Sequence, residues 1–350
     1  MAEVEPNDLQ SPDYFPFDVD IAGRLLHFVR LNAATFREET FLDGRCKGAD
    51  KIVGSMPIDD RMEDAIALVP SRRIHFVMHI GYALSTLLTR CLQELTREQV
   101  LREPLALTRL WESQPGYLRS AESQMDNATW GRALEFVLRL YGRHDPDQSG
   151  VIVKACDRVF PLATRLLDRD PATKILYLYL DVRQFSHAVL RHESRRNWGR
   201  ANLAESIRVD AHFAGLPEVR TLSDAQCAIL LWLGRMRMLE ELVDSHSSGR
   251  VLAMHGARLA EDTTAALMTV LDFFGLPAVP EELEAVARGP VFRKYAKQQE
   301  SDFTPDDRRR QMREFEESFG RDIDDALKWA AATQPETDVH RLLERYAPPK

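Results

Sequence analysis

The chain has 350 residues, 44% of them hydrophobic and 29% charged, with a formal net charge of -8. This length exceeds one small domain and is enough to bury a large core. The acidic balance leaves no basic footprint for duplex nucleic acid, although a local arginine cluster can still receive a small anion.

Four cysteines, Cys46, Cys91, Cys156 and Cys227, stand far apart without a CxxC pair. Neither a metal site nor a disulfide framework is expected, and scattered thiols suit a reducing compartment. The opening MAEVEPNDLQSPDYFPFDVD is acidic and has no apolar centre, unlike a signal peptide. The apolar run Ala228 to Leu233 is far too short to span a bilayer. A soluble, cytoplasmic protein with neither a membrane nor a nucleic-acid partner is expected.

Residues 1–20 carry Pro6, Pro12 and Pro16 and read as a lead-in without regular structure. Residues 21–70, with Gly44, Gly48, Gly54 and Pro57, read as an irregular cap. Ile74–Ile80 (IHFVMHI) is an apolar, β-rich run, and Ser85–Leu95 follows with helical spacing. A second strand is expected at Gln99–Glu103, ended by Pro104, and a helix at Ala121–Tyr141. The third strand is Val151–Ala155, then a helix near Phe160–Leu167. Lys174–Leu180 (KILYLYL) is the fourth strand, leading into a helix near Gln184–His192. Residues 193–220 lack a clear period and read as a loop or lid. Asp224–Val243 is a helix, Arg250–His255 a fifth strand, and Ala260–Phe274 a helix closed by Gly275 and Pro277. Charge-rich helices, including Pro305–Ala331, run to the end.

Alternating strands and helices predict parallel βαβ units, in which ligands sit outside the carboxyl ends of the strands. The strand, loop and helix HFVMHIGYALSTLLTR has the layout of a phosphate-binding loop, with backbone N–H groups, Ser85 and Thr86 at a helix start. It is not a Walker A sequence, because no lysine precedes the hydroxyl pair, and this disfavours ATP or GTP hydrolysis. Ser85 and Thr86 would equally serve as caps of a core helix. The expected fold class is α/β, a P-loop type three-layer fold with a central parallel sheet of about five strands and helical decorations. The expected division is a lead-in and cap at 1–70, the P-loop domain at 71–280 and a helical extension of the same domain at 281–350.

These segments resemble the sulfotransferase family. Ser85-Thr86-Leu87-Leu88 matches the family's hydroxyl pair and helix start. LREPLALTRL, VIVKACDRVFPL, ILYLYLDVRQFSHAVLR and GRVLAMHGARLAEDTTAALMTVLDFFGLP then follow in the family's order, and the lead-in FLDGR occurs in bacterial sulfotransferase-like proteins. The overlap spans residues 73–280. The resemblance implies binding of 3′-phosphoadenosine-5′-phosphosulfate (PAPS), with Gly81, Tyr82, Ala83, Leu84, Ser85 and Thr86 around the 5′-phosphosulfate. Tyr82 stands where the family has lysine or arginine, and Leu84 where it has glycine. In the family's 3′-phosphate signature, Leu180 takes the place of the arginine and Ala188 that of the serine. Arg183 matches the motif's second arginine and Ser186 lies one helical turn along, which would make a shifted site, and Arg293 and Lys294 match the late basic motif.

The resemblance also implies Glu103 as catalytic base, Lys154 near the sulfuryl group and His79 as rival base. On the residues alone, Glu103 reads equally as a turn residue, Lys154 as a strand-end lysine and Arg183 as a helix-start arginine. Arg195, Arg196 and Arg200 would approach an anion or form a solvated face. Tyr117, Trp130 and Trp198 would line an acceptor pocket or pack in the core. The function implied is sulfuryl transfer to a hydroxyl or amine of a small acceptor. The alternatives are a non-catalytic sulfotransferase fold that binds a ligand or partner, and a P-loop phosphotransferase.

Overall fold

The structure, a computed structural model, describes Val4 and residues 8–115, 125–144, 147–209, 216–246, 249–295, 298–302, 305–334 and 338–348. The side chains of 209, 293–309 and 311 lie outside this description, as do Tyr117 and the start expected for the 121–141 helix.

The strands are β1 (Tyr14–Asp20), β2 (Leu25–Arg30), β3 (Ile52–Pro57), β4 (Ile74–His79), β5 (Glu98–Arg102), β6 (Gly150–Lys154), β7 (Ile175–Tyr179) and β8 (Val251–His255), then short β9 (Lys294–Tyr295) and β10 (Gln298–Asp302). The helices before the fifth sheet strand are α1 (Ala33–Glu38), α2 (Met62–Leu68), α3 (Ser85–Leu95), α4 (Leu105–Glu112), α5 (Asn127–Tyr141), α6 (Ala163–Arg169), α7 (Val182–Leu190), α8 (Glu193–Val209) and α9 (Asp224–Ser245). After it come α10 (Arg258–Glu261), α11 (Thr263–Phe274), α12 (Pro280–Arg288), α13 (Pro290–Arg293), α14 (Pro305–Thr333) and α15 (Val339–Arg345). The fold is α/β, with a five-stranded parallel sheet of order β5-β6-β4-β7-β8 flanked by helices. All residues of β4, β5 and β6 are buried, which explains why β4 and β6 read as mostly apolar runs rather than alternating ones, while β5 carries Glu98, Gln99 and Arg102 in the same buried setting. Among the described residues no helix is long and apolar enough to cross a membrane.

The chain divides into two compact units. The first holds residues 1–78, 86–175 and 271–282. Here the structure corrects the irregular lead-in and cap. β1, β2 and β3 form an antiparallel sheet of order β1-β2-β3. Pro16 is tolerated because β1 is an edge strand and bulges between Pro16 and Asp18. The buried Arg143 holds this segment down, donating to the carbonyls of Leu9 (2.7 Å) and Tyr14 (2.6 Å). Phe15 stacks on Tyr141 with ring centres 5.3 Å apart and meets Phe36 edge-on, so aromatic burial joins the sheet to α5 and α1.

The second unit holds residues 79–85, 176–270 and 283–350. Its largest departure from the sequence reading is α8, a 17-residue helix where a loop or lid was expected. Polar residues surround α8, so no apolar stripe advertised it. It is held instead by Leu203 in a buried cluster with Leu222, Cys227 and Leu230, and by Arg196 and Arg200 on Asp224 of α9. The N-terminus of α9 carries a capping box of Ser223 and Gln226.

Candidate functional site

The carboxyl ends of β5 and β6 carry one candidate centre, within the first unit. The Lys154 side chain is 1% exposed, and a buried ammonium requires a counter-charge. Glu103 supplies it as an ion pair to Lys154. Glu103 itself sits at φ +51°, a left-handed conformation uncommon for a residue with a side chain, and its N–H donates to the Lys154 carbonyl at 2.6 Å. The expected strand-ending residue is thus a turn residue and an ion-pair partner together.

FLDGR completes this corner. The Leu42 N–H donates to the Arg102 carbonyl (2.7 Å) and the Leu42 carbonyl accepts from Leu105 (3.0 Å), binding the segment alongside residues 102–105. Arg45 stacks 3.7 Å from the Phe41 ring centre, is held by Asp43 at 2.9 Å, and reaches within 3.7 Å of the second Glu103 oxygen. Lys154 Nζ lies 5.4 Å from the same ring. Glu103 therefore stands between two cations, Lys154 and Arg45. Arg45 escaped the sequence reading as a site residue because only its family likeness, not its spacing to Glu103, was visible.

The loop after β4 is the second centre, within the second unit. Gly81 (φ +98°), Tyr82 (φ +58°) and Leu84 (φ +62°) all adopt left-handed backbone, while Ala83 between them does not. Turns that contain left-handed residues are among the backbone conformations that form anion nests. Each non-glycine residue so held costs about 1–3 kcal/mol, which the surrounding structure must offset. His79, expected as a rival base, is buried, and its Nδ1 accepts from the Gly81 N–H at 3.0 Å. Ser85 and Thr86 are buried at the start of α3.

Two supports of this loop were missed. A Cβ on Gly256 would fall 2.6 Å from the Ala83 carbonyl oxygen, so only glycine lets the backbone after β8 approach the loop. Trp198 of α8 covers the other side: it lies 3.0 Å from where a Gly81 Cβ would stand and meets the Tyr82 ring edge-on at 5.2 Å. Below them, the Asp181 N–H donates to His255 Nε2 (3.0 Å), while the Asp181 carboxylate caps α7 by accepting from Arg183 and Gln184. The histidine and aspartate signals were present in the sequence, but nothing in their spacing joined them.

The remaining expected ligands are dispersed. Arg183 is engaged by two carboxylates of α14, Glu316 and Asp324. Ser186 is fully buried, and its hydroxyl has no hydrogen-bond partner among the described residues. Leu180 is buried, and its carbonyl accepts from Trp232 (2.8 Å). The side chains of Arg293 and Lys294 lie outside the described residues. Trp130 is a core residue, bonded to the Leu110 carbonyl at 2.7 Å and covered by Arg165. Burial pushes the Cys91 thiol up to about 12 and Cys46 and Cys227 up to about 11, so these three are not nucleophiles near neutral pH. Among the described residues no group of three His, Cys, Asp or Glu side chains forms a metal site.

No protein-family model and no curated protein matches the chain. Solved structures similar to it include a mouse sulfotransferase complexed with PAP, at 13% identity and TM-score 0.37, covering 83% of this chain and 94% of that one. A sulfotransferase from Alicyclobacillus acidocaldarius is 14% identical with TM-score 0.37, covering 78% and 99%. A sulfotransferase from Mycobacterium tuberculosis H37Rv is 14% identical with TM-score 0.39, covering 65% and 73%. At these identities the likeness to sulfotransferases is one of fold alone.

Proposed function

We propose that this chain is a PAPS-dependent sulfotransferase acting on a hydroxyl or amine of a small acceptor. The observation that carries the reading is the buried Lys154 paired with Glu103, a residue held in left-handed backbone at the carboxyl end of a parallel strand. Backbone strain of this kind collects where a side chain must be aimed. The loop from Gly81 fits the 5′-phosphosulfate through its backbone donors. When bound, the donor supplies the sulfuryl group. Glu103 takes the proton from the acceptor as its oxygen or nitrogen forms the new bond to sulfur. The bond from sulfur to the bridging phosphate oxygen breaks, its electron pair stays on that oxygen, and Lys154 stabilises the charge. Arg45, stacked on Phe41, positions Glu103 before the acceptor arrives.

One observation favours a second reading, a sulfotransferase fold that binds without catalysis. Arg183, which would hold the 3′-phosphate, is already engaged by Glu316 and Asp324, and Leu180 is buried in the core. Calorimetric titration with 3′,5′-ADP, against 5′-ADP and ATP, separates the two. Selective binding of 3′,5′-ADP is expected and would justify an acceptor screen. Absent or unselective binding would move the assignment to the non-catalytic reading.

A further inference from the structure

The loop His79–Ser85 contains no lysine or arginine, so an anion seated on it meets backbone N–H groups and no charge from the loop itself. Three nearby arginines of α8 differ sharply in what holds them. Arg196 is engaged by Asp224 (3.3 Å) and the Leu190 carbonyl (2.8 Å). Arg200 is engaged by Asp224 (2.6 Å) and the carbonyls of Val219 and Leu222. Arg195 has no carboxylate partner among the described residues. Among the described residues its side chain donates to the Ala188 carbonyl at 3.1 Å, and its guanidinium lies 4.7 Å from the centre of the Tyr82 ring.

A half-buried guanidinium without a counter-ion is a costly arrangement unless an anion completes it. Stacking on an aromatic face occupies the plane of the guanidinium and leaves most of its five N–H donors free at the edge. Tyr82, fixed at φ +58° and braced by Trp198, is the platform that sets this plane. A lysine within the loop would be the usual source of such a charge; here a different helix brings it.

We propose that Arg195 is the cation of the anion loop, held by Tyr82 to bind the phosphate or phosphosulfate group that the loop receives. The ligand class is a doubly charged, oxygen-rich anion: a phosphosulfate or diphosphate ester. This rests on the reading of the loop as an anion site, so the test uses two probes, inorganic pyrophosphate for the loop alone and 3′,5′-ADP for the nucleotide site. Titration calorimetry on the full chain should show Arg195→Ala weakening pyrophosphate about tenfold or more, a charge-assisted hydrogen bond's worth. Arg195→Lys should retain most of the affinity, and Tyr82→Lys combined with Arg195→Ala should regain part of it. Arg196→Ala, which breaks the pairing with Asp224 and the hydrogen bond to the Leu190 carbonyl, should lower the melting temperature and leave affinity unchanged, and this separates charge from helix integrity. Pyrophosphate binding without 3′,5′-ADP binding would sink the sulfotransferase reading and leave Arg195 standing. Equal affinity of Arg195→Ala and the natural chain for both probes would overturn the role of Arg195 alone. Binding of neither probe by the natural chain would overturn both.

Discussion

The two candidate centres are built from opposite materials. At Glu103 and Lys154 the first unit relies on side-chain charge, an ion pair with one partner nearly removed from water and a second cation, Arg45, at its edge. At Gly81–Leu84 the second unit relies on backbone direction, with three left-handed residues and no charge within the loop. A charge centre is sensitive to the loss of one atom, because the partner is left buried and unpaired. A backbone centre tolerates side-chain change but fails when something invades the space its backbone needs. This explains why the loop keeps its shape with Tyr82 and Leu84, whereas Glu103 and Lys154 depend on each other.

The largest effect that would break this contrast comes from the charge centre. Glu103→Gln keeps the shape and removes the base, and is expected to lower turnover about 10²- to 10⁴-fold while sparing 3′,5′-ADP affinity. Single-turnover assays with the natural acceptor class would measure it, and unchanged turnover would remove Glu103 from its role. The same unit should also feel acid more strongly. Burial pushes His75 down to about 4, with Arg73 and Lys174 adding to the shift. The unfolded chain then binds the proton first as pH falls through 6.5, so stability present at neutral pH is lost between about 6.5 and 4, up to about 3 kcal/mol. Urea unfolding at pH 7 and pH 4.5 should show this loss in the natural chain and a smaller one in His75→Leu.

The backbone centre answers to space. Gly256→Ala would push a methyl group onto the Ala83 carbonyl, with an expected cost of about 1–3 kcal/mol and a loss of pyrophosphate affinity. Thermal unfolding with and without pyrophosphate would show both; a silent substitution would mean that the loop is not held from this side. The smallest effect sharpens the comparison most. At Leu84, glycine should be more stable than alanine by about 1 kcal/mol, the reverse of an ordinary helix or strand position, because only the left-handed backbone separates the two variants. Equal stability of Leu84→Gly and Leu84→Ala would show that the loop relaxes when the leucine is removed.

Much of the second half of the sheet was legible because β6, β7 and β8 are short apolar runs bounded by glycine, lysine or charged turns. The cap was not: Pro16 reads as a breaker until β1 is known to be an edge strand. Nor was α8, whose stability lies in Asp224 and Leu222 rather than in its own periodicity. At the site, Glu103, Lys154 and the loop from Gly81 were all named from position after a strand. Arg45, Gly256 and the stacking of Arg195 on Tyr82 were not, since each depends on a neighbour far away in the chain.

The sequence by itself determined the alternation of strands and helices, and with it the parallel sheet and the ends of the strands where chemistry belongs, because hydrophobic period and turn residues act locally. Only the tertiary structure decided which charges meet. Arg183 finds Glu316 and Asp324, Arg196 and Arg200 find Asp224, and Arg195 finds an aromatic ring and, among the described residues, no carboxylate. The physical reason is that pairing acts over a few ångströms in space and is blind to separation along the chain.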